Sequence, residues 1–161
     1  MPLLNPDNPD PEALGKVPES IRQMFAYWQR KRGARRMPSR ADIDPAEMKA
    51  MLPFMILVDV VYDAAGKADF VYRLVGTREV EIRNGDPTGQ RVAEAFHGPS
   101  AENALGCYRQ AVESRMPYLD DEYFAQADDR FGDEANLFLP LSNDDETVNM
   151  VLVFTAYRKL K

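Results

Sequence analysis

One cysteine and one histidine in 161 residues leave little material for several common chemistries. Cys107 has no second cysteine to pair with, so the chain carries no internal disulfide framework and no cysteine-built metal site. A reducing compartment, the cytoplasm, suits it. A histidine-based triad would have to place His97 beside a nucleophile such as Ser100 or Cys107. Neither a G-x-S-x-G elbow nor a G-x-x-x-x-G-K-[ST] phosphate loop is present, so the chain reads as a non-enzyme. No apolar run approaches the ~20 residues needed to cross a bilayer. The start, Met1-Pro2-Leu3-Leu4-Asn5-Pro6-Asp7, lacks the regions of a signal peptide. A net charge of −6 argues against general binding to nucleic-acid phosphates, which Lys and Arg drive by releasing counterions.

What is present suits one soluble domain. Hydrophobic residues make up 45% and charged residues 29%, and a chain of this length buries about 70% of the surface that its unfolded form exposes. Prolines at 2, 6, 9 and 11 in an Asn/Asp-rich context suppress helix and central strand, so residues 1–17 read as a flexible leader. The domain then spans 18–161, with a helical cap over about 18–52 and a core over about 53–158. In the cap, Ile21, Met24, Phe25 and Trp28 recur at the spacing of one buried helical stripe, and Gly33 ends the helix. Arg30, Lys31, Arg32, Arg35, Arg36 and Arg40 follow with no acid among them. They read first as a solvated helix end and turn, and second as a dock for an acidic surface or phosphate. Asp44-Pro45 with Glu47 signals a short helix to about Met51.

Beyond Pro53 the pattern turns to β. Phe54 to Tyr62 is apolar on both alternating faces, a central strand, and Asp63-Ala64-Ala65-Gly66-Lys67 returns the chain into Phe70 to Val75 as a hairpin. With the turn centred on Ala65-Gly66, Asp59 should face Arg73 as a buried ion pair, and Val58 should face Leu74. Gly76 reads as a strand exit before a Thr77 hydroxyl cap, with a short helix from Thr77 to Arg83 and a turn at Asp86-Pro87-Thr88-Gly89. Ala104, Cys107, Tyr108, Ala111 and Val112 give a longer helix ending before Pro117. Three strands follow, over 118–125, 134–142 and 147–157. The first carries Asp120, Asp121 and Glu122 and reads as partly exposed, the last as central. The order β-β-α-α-β-β-β implies an α+β class with a five-stranded antiparallel sheet, helices on one face and the N-terminal helical extension on the other.

Several words are more specific than the topology. Trp28, Arg36-Met37-Pro38-Ser39-Arg40-Ala41-Asp42-Ile43-Asp44-Pro45, Leu52-Pro53, Asp59-Val60, Tyr72-Arg73-Leu74-Val75-Gly76-Thr77 and Thr88-Gly89 resemble the signature of a family of stand-alone bacterial PAS proteins, over roughly residues 20–157. The resemblance implies the PAS fold and a sensory or regulatory role, acting in trans without an output domain. It brings no general ligand or reaction. In their own right, Arg40 with Asp42 and Asp44 can pin the turn between the first two helices.

Candidate sites are weighed against plain structure. Folds of this class often enclose a cavity between sheet and helices, for which Tyr72, Leu74, Phe96, Tyr108 and Phe124 are candidate lining residues, together with Phe138, Met150, Leu152 and Phe154. Periodicity cannot separate a lined pocket from a filled core. A haem-binding version of the fold would take His97 as axial ligand, although a loop histidine reads first as a surface residue. A flavin photosensor would carry its cysteine in an Asn-Cys-Arg-Phe setting. Cys107, in Leu105-Gly106-Cys107-Tyr108, reads instead as a small buried helix residue. The acids 120–122 and 144–146 lack the spacing and central glycine of a calcium loop and read as charged hairpin tips, so no metal site is expected. A small-molecule ligand, a signalling-protein partner and a homodimer stay open. The competing reading is a small enzyme using the same cavity, which needs a strongly perturbed acid, base or nucleophile in a cleft.

Overall fold

The computed structural model describes residues 3–97, 100–120 and 134–157. Five antiparallel strands form one sheet in the order β2-β1-β5-β4-β3, where β1 is Met55–Tyr62, β2 Ala68–Val75, β3 Tyr118–Asp120, β4 Glu134–Leu141 and β5 Met150–Tyr157. The strand that is apolar on both faces takes the middle. β5 is buried from Met150 to Ala156, because it is covered above and below. The helices are α1 (Pro11–Gly15), α2 (Glu19–Arg32), α3 (Thr77–Arg83), α4 (Val92–Ala95) and α5 (Ala101–Ser114). This is the α+β arrangement that the sequence implies.

Register assigns the faces. Ile56, Val153 and Phe138 lie in line across three strands, and Tyr108 of α5 stacks on Phe70 and meets Phe138 edge-on, so α5 covers that face. Leu137, Leu139, Leu141 and Leu152 alternate to the other face, where α2 crosses β4 and β5 with Ile21, Met24, Phe25 and Trp28 buried.

The segment 3–17 is packed, which corrects its reading as a flexible leader. Leu3 bridges to Tyr118, the Leu4 N–H donates to the Pro117 carbonyl at 2.8 Å, and Leu4 is fully buried. Prolines exclude long helix and central strand but neither the single turn α1, which Pro11 opens, nor packing. Their segment offers free carbonyls, and α2 supplies donors: Gln29 Nε2 to Pro6 O at 2.9 Å, and Arg22 Nη1 to Leu14 O and Val17 O.

Half of the basic segment is neutralised within the fold. Lys31 pairs with Glu47 at 2.8 Å, Arg32 with Asp7 at 2.6 Å and Arg35 with Asp42 at 2.8 Å. The turn is pinned differently from the expected Arg40–Asp42–Asp44 set. Asp42 also takes the Ser39 N–H, Arg40 Nη1 donates to the Ile43 carbonyl, and Asp44 caps the Ala46 N–H. Pro38 accepts from the Ser142 N–H at 3.0 Å. In place of an α-helix to Met51, the chain makes 3₁₀ turns at Arg40–Asp42, Pro45–Met48 and Leu52–Phe54. Pro53 has no N–H to extend a helix and would clash with the carbonyl four residues back.

In the first hairpin the register differs from the expected one. Asp59 lies opposite Val71 and Val58 opposite Tyr72, and an irregularity between Leu57 and Val58 leaves Arg73 without a direct partner. Arg73 Nη1 still reaches Asp59 Oδ2 at 3.8 Å, but the side chains are 68% and 30% exposed, so the pair is loose and solvated. Arg73→Met should therefore change stability by less than about 1 kcal/mol in chemical denaturation, not by the several expected of a buried pair.

Gly76, not Thr77, occupies the cap position before α3, and it is required for space. A Cβ there would lie 2.5 Å from the Pro53 carbonyl oxygen and closer still to that of Leu52, while the Gly76 N–H donates to Met55 O at 2.7 Å. Both contacts are backbone and cannot rotate away. Gly76→Ala should cost about 1–3 kcal/mol by thermal or chemical unfolding. Gly89 takes φ 90° and donates its N–H to Tyr72 O, so the Thr88-Gly89 turn closes part of the β2 edge.

Candidate functional site

Between α5 and the sheet a cavity of about 50 Å³ remains. Its walls come from strands (Ile56, Asp120, Glu134, Asn136, Phe138, Val153, Thr155), from α3 (Glu79, Arg83), and from Phe96, His97, Ser100, Asn103, Ala104 and Tyr108. On α3 the i,i+4 spacing puts Glu79 and Arg83 on one face, toward the sheet. On β4 the period of two puts Glu134, Asn136 and Phe138 on the cavity face, opposite Tyr157, Thr155 and Val153 of β5.

Several polar groups here are buried and engaged. Glu79, only 3% exposed, accepts from the Tyr157 hydroxyl at 2.7 Å. Thr155 Oγ1 donates to Asn136 Oδ1 at 2.7 Å. Arg83 Nη1 donates to the Tyr72 hydroxyl at 3.2 Å. Burial raises the Glu79 carboxyl above its usual range against the pull of Tyr157 and Arg83, and raises Tyr157, whose proton Glu79 also holds. Burial, then the nearby Glu79 and Asp120 charges, push Glu134 up to about 7, with Arg83 opposing. His97 is held below its ordinary value by burial and then by Arg83. Two carboxyls, Glu79 and Glu134, thus feel one guanidinium, and near neutral pH Glu134 is partly protonated.

Of the expected lining residues, Phe96, Tyr108 and Phe138 face this cavity, and Tyr72 joins it through Arg83. Met150, Leu152 and Phe154 lie on the opposite face, because β5 alternates. Leu74 is there too, 54% exposed. Phe124 lies outside the described residues. Asp120 is buried at the cavity, which corrects its reading as a charged tip on a partly exposed strand, and Asp121 and Glu122 lie outside the described residues. Asp144 and Asp145 spend their carboxylates on backbone N–H groups of Glu146, Thr147, Arg36 and Met37. Cys107 is buried on α5 with Sγ 3.8 Å from Asp120 Oδ2. His97 lines this cavity, whose volume is far below that of a haem.

The reading of residues missed Glu79, Arg83, Glu134, Asn136 and Thr155. The alternation of Glu134 and Asn136 within an otherwise apolar strand was the available signal, since polar side chains on the covered face of a sheet must have partners.

The chain belongs to the PAS domain family, whose profile matches residues 16–155. A comparison with curated proteins found no match. No described helix is long and apolar enough to cross a membrane.

Proposed function

We propose that the chain is a sensory or regulatory PAS module of the cytoplasm whose interior cavity binds a small polar ligand and whose output is a change of contacts with a signalling partner. The cavity carries the reading. In the same measure of volume one water needs about 10–15 Å³, so about 50 Å³ suits a molecule of a few heavy atoms. Carboxyls at 79 and 134, the Arg83 guanidinium and the Asn136 amide offer both donors and acceptors to it. Tyr157, the last residue of β5, ties Glu79 to the end of the central strand, so a ligand that competes for Glu79 would be felt there.

The test is native mass spectrometry and metabolite extraction from the purified chain, beside Ala104→Leu, which fills the cavity from α5. Retention of a small polar molecule by the parent and its loss from a folded Ala104→Leu variant support the reading. No bound molecule, and no thermal shift with any of a panel of small polar metabolites, would remove it. The second reading, a small enzyme in the same cavity, draws on one observation, the Glu134 carboxyl near neutrality in a cleft. Turnover of the retained molecule by the parent, abolished in Glu134→Gln while binding persists, would favour it.

A further inference from the structure

A second concavity lies on the opposite face of the sheet. The 3₁₀ turns at Pro45–Met48 and Leu52–Phe54 form one wall and Leu74 to Thr77 the other, over a floor of Met55, Leu57 and Leu152. Its volume is about 460 Å³, within the range of small-molecule sites. Apart from Thr77, its only polar side chains are Arg40 and Lys49. Nine other basic side chains reach a carboxylate, but among the described residues neither of these two does. Arg40 gives one N–H to the Ile43 carbonyl and keeps its other donors. In a chain of net charge −6, an apolar slot whose described lining holds two cations without a carboxylate partner and no acid, the nearby Glu47 being engaged by Lys31, selects an occupant that is apolar along its length and anionic at one end.

We propose that this groove binds a single-chain anionic amphiphile of the fatty-acid class, its tail along Met55, Leu57 and Leu152 and its carboxylate between Arg40 and Lys49. Volume favours this occupant over a partner helix. Three helical turns, about 16 Å long and about 10 Å across, fill roughly 1,200 Å³, so the groove would take little more than one of the three turns. One acyl tail fits within it, and the flexible side chains of Met48 and Met55 conform to an irregular chain. The site is separate from the interior cavity and does not depend on what that cavity binds.

The test is calorimetric titration of the full chain with dodecanoate below its critical micelle concentration, with dodecyltrimethylammonium as the cationic control and amide NMR to locate binding. Dodecanoate should bind at least tenfold tighter than the cation, with shifts at Ile43, Lys49, Leu57 and Leu74. Lys49→Glu should raise Kd about tenfold, since reversal removes one attraction and adds a repulsion. Leu74→Glu should abolish binding. Both positions are exposed, so melting temperatures should hold. Equal binding of anion and cation, shifts centred on Ala104 and Thr155, or indifference to both variants would each overturn the proposal. So would a dimer that Leu74→Glu dissolves in a chain that binds no dodecanoate, which would give the groove to a second copy.

Discussion

Trp28→Ala should destabilise the isolated chain by about 3–5 kcal/mol in chemical denaturation. Trp28 is 1% exposed and sits at the end of the α2 stripe, so truncation removes the largest apolar surface that the helix contributes to the sheet. It also removes a donor. β3 pairs with β4 only from Asn136 to Phe138, which leaves Pro140 beyond the end of that neighbour, and Trp28 Nε1 donates to the Pro140 carbonyl at 2.9 Å. That bond is buried, so losing it adds the cost of an unpaired acceptor. Arg32 loses the ring beneath its guanidinium, 5.9 Å from the centroid. Trp28→Phe separates the parts: most of the burial returns, and a residual cost of about 1–3 kcal/mol should report the unpaired carbonyl. A total below about 1 kcal/mol for Trp28→Ala would mean that α2 adds little to the stability of the sheet.

The sheet was legible because its strands differ in kind. Val148 to Phe154 carries apolar residues on both faces, and only a strand covered twice tolerates that, so its central place followed from the residues alone. The leader was not legible in the same way. Local rules correctly excluded long helix and central strand from a segment rich in proline, but they are silent on whether its free carbonyls meet donors 23 residues away, as Pro6 meets Gln29. The hairpin shows a third case. Alternation put Asp59 and Arg73 near one another, yet the irregularity beside Leu57 displaces the register and leaves Arg73 largely and Asp59 partly in water. A bulge is a backbone event with no obligatory residue type, so nothing in the chain announced it.

The interior site was half legible for a related reason. Aromatic residues on the covered face, Tyr108 and Phe138, stand out by size and periodicity. Glu79 and Arg83 sit in a short helix where charge reads as solvent exposure, and only the packing of α3 against β5, which brings Tyr157 to Glu79, turns them inward. The apolar groove was illegible, since it exists because α2 lies over β4 and β5 while Leu74 on β2 stays open.

Glu134→Gln should stabilise the chain above neutral pH and flatten part of its pH dependence. In the folded chain the Glu134 carboxyl is held at about 7 against 4.5 as the ordinary value, chiefly by burial and then by the Glu79 charge. An acid whose folded pKa is raised favours folding in its protonated form. Below about pH 4.5 both states keep the proton and nothing is lost. Between there and about pH 7 the unfolded chain ionises while the folded one does not, so stability falls as pH rises, and above that window the loss is complete. Its ceiling is roughly 3 kcal/mol, at about 1.4 kcal/mol for each pKa unit, and partial solvent access lowers it. Glutamine keeps the shape and cannot ionise. Glu79 titrates in the same direction, whereas Asp42 and Asp69, held below their ordinary 3.8, have finished titrating below this window, and all three are common to both proteins. The difference in unfolding free energy between variant and parent therefore reports position 134 together with its coupling to Glu79. It should lie near zero at pH 4, open through the window and level off by pH 8, with the variant more stable. A difference that stays flat across this range would show that Glu134 ionises as freely in the fold as in the unfolded chain, and that the cavity does not hold its proton.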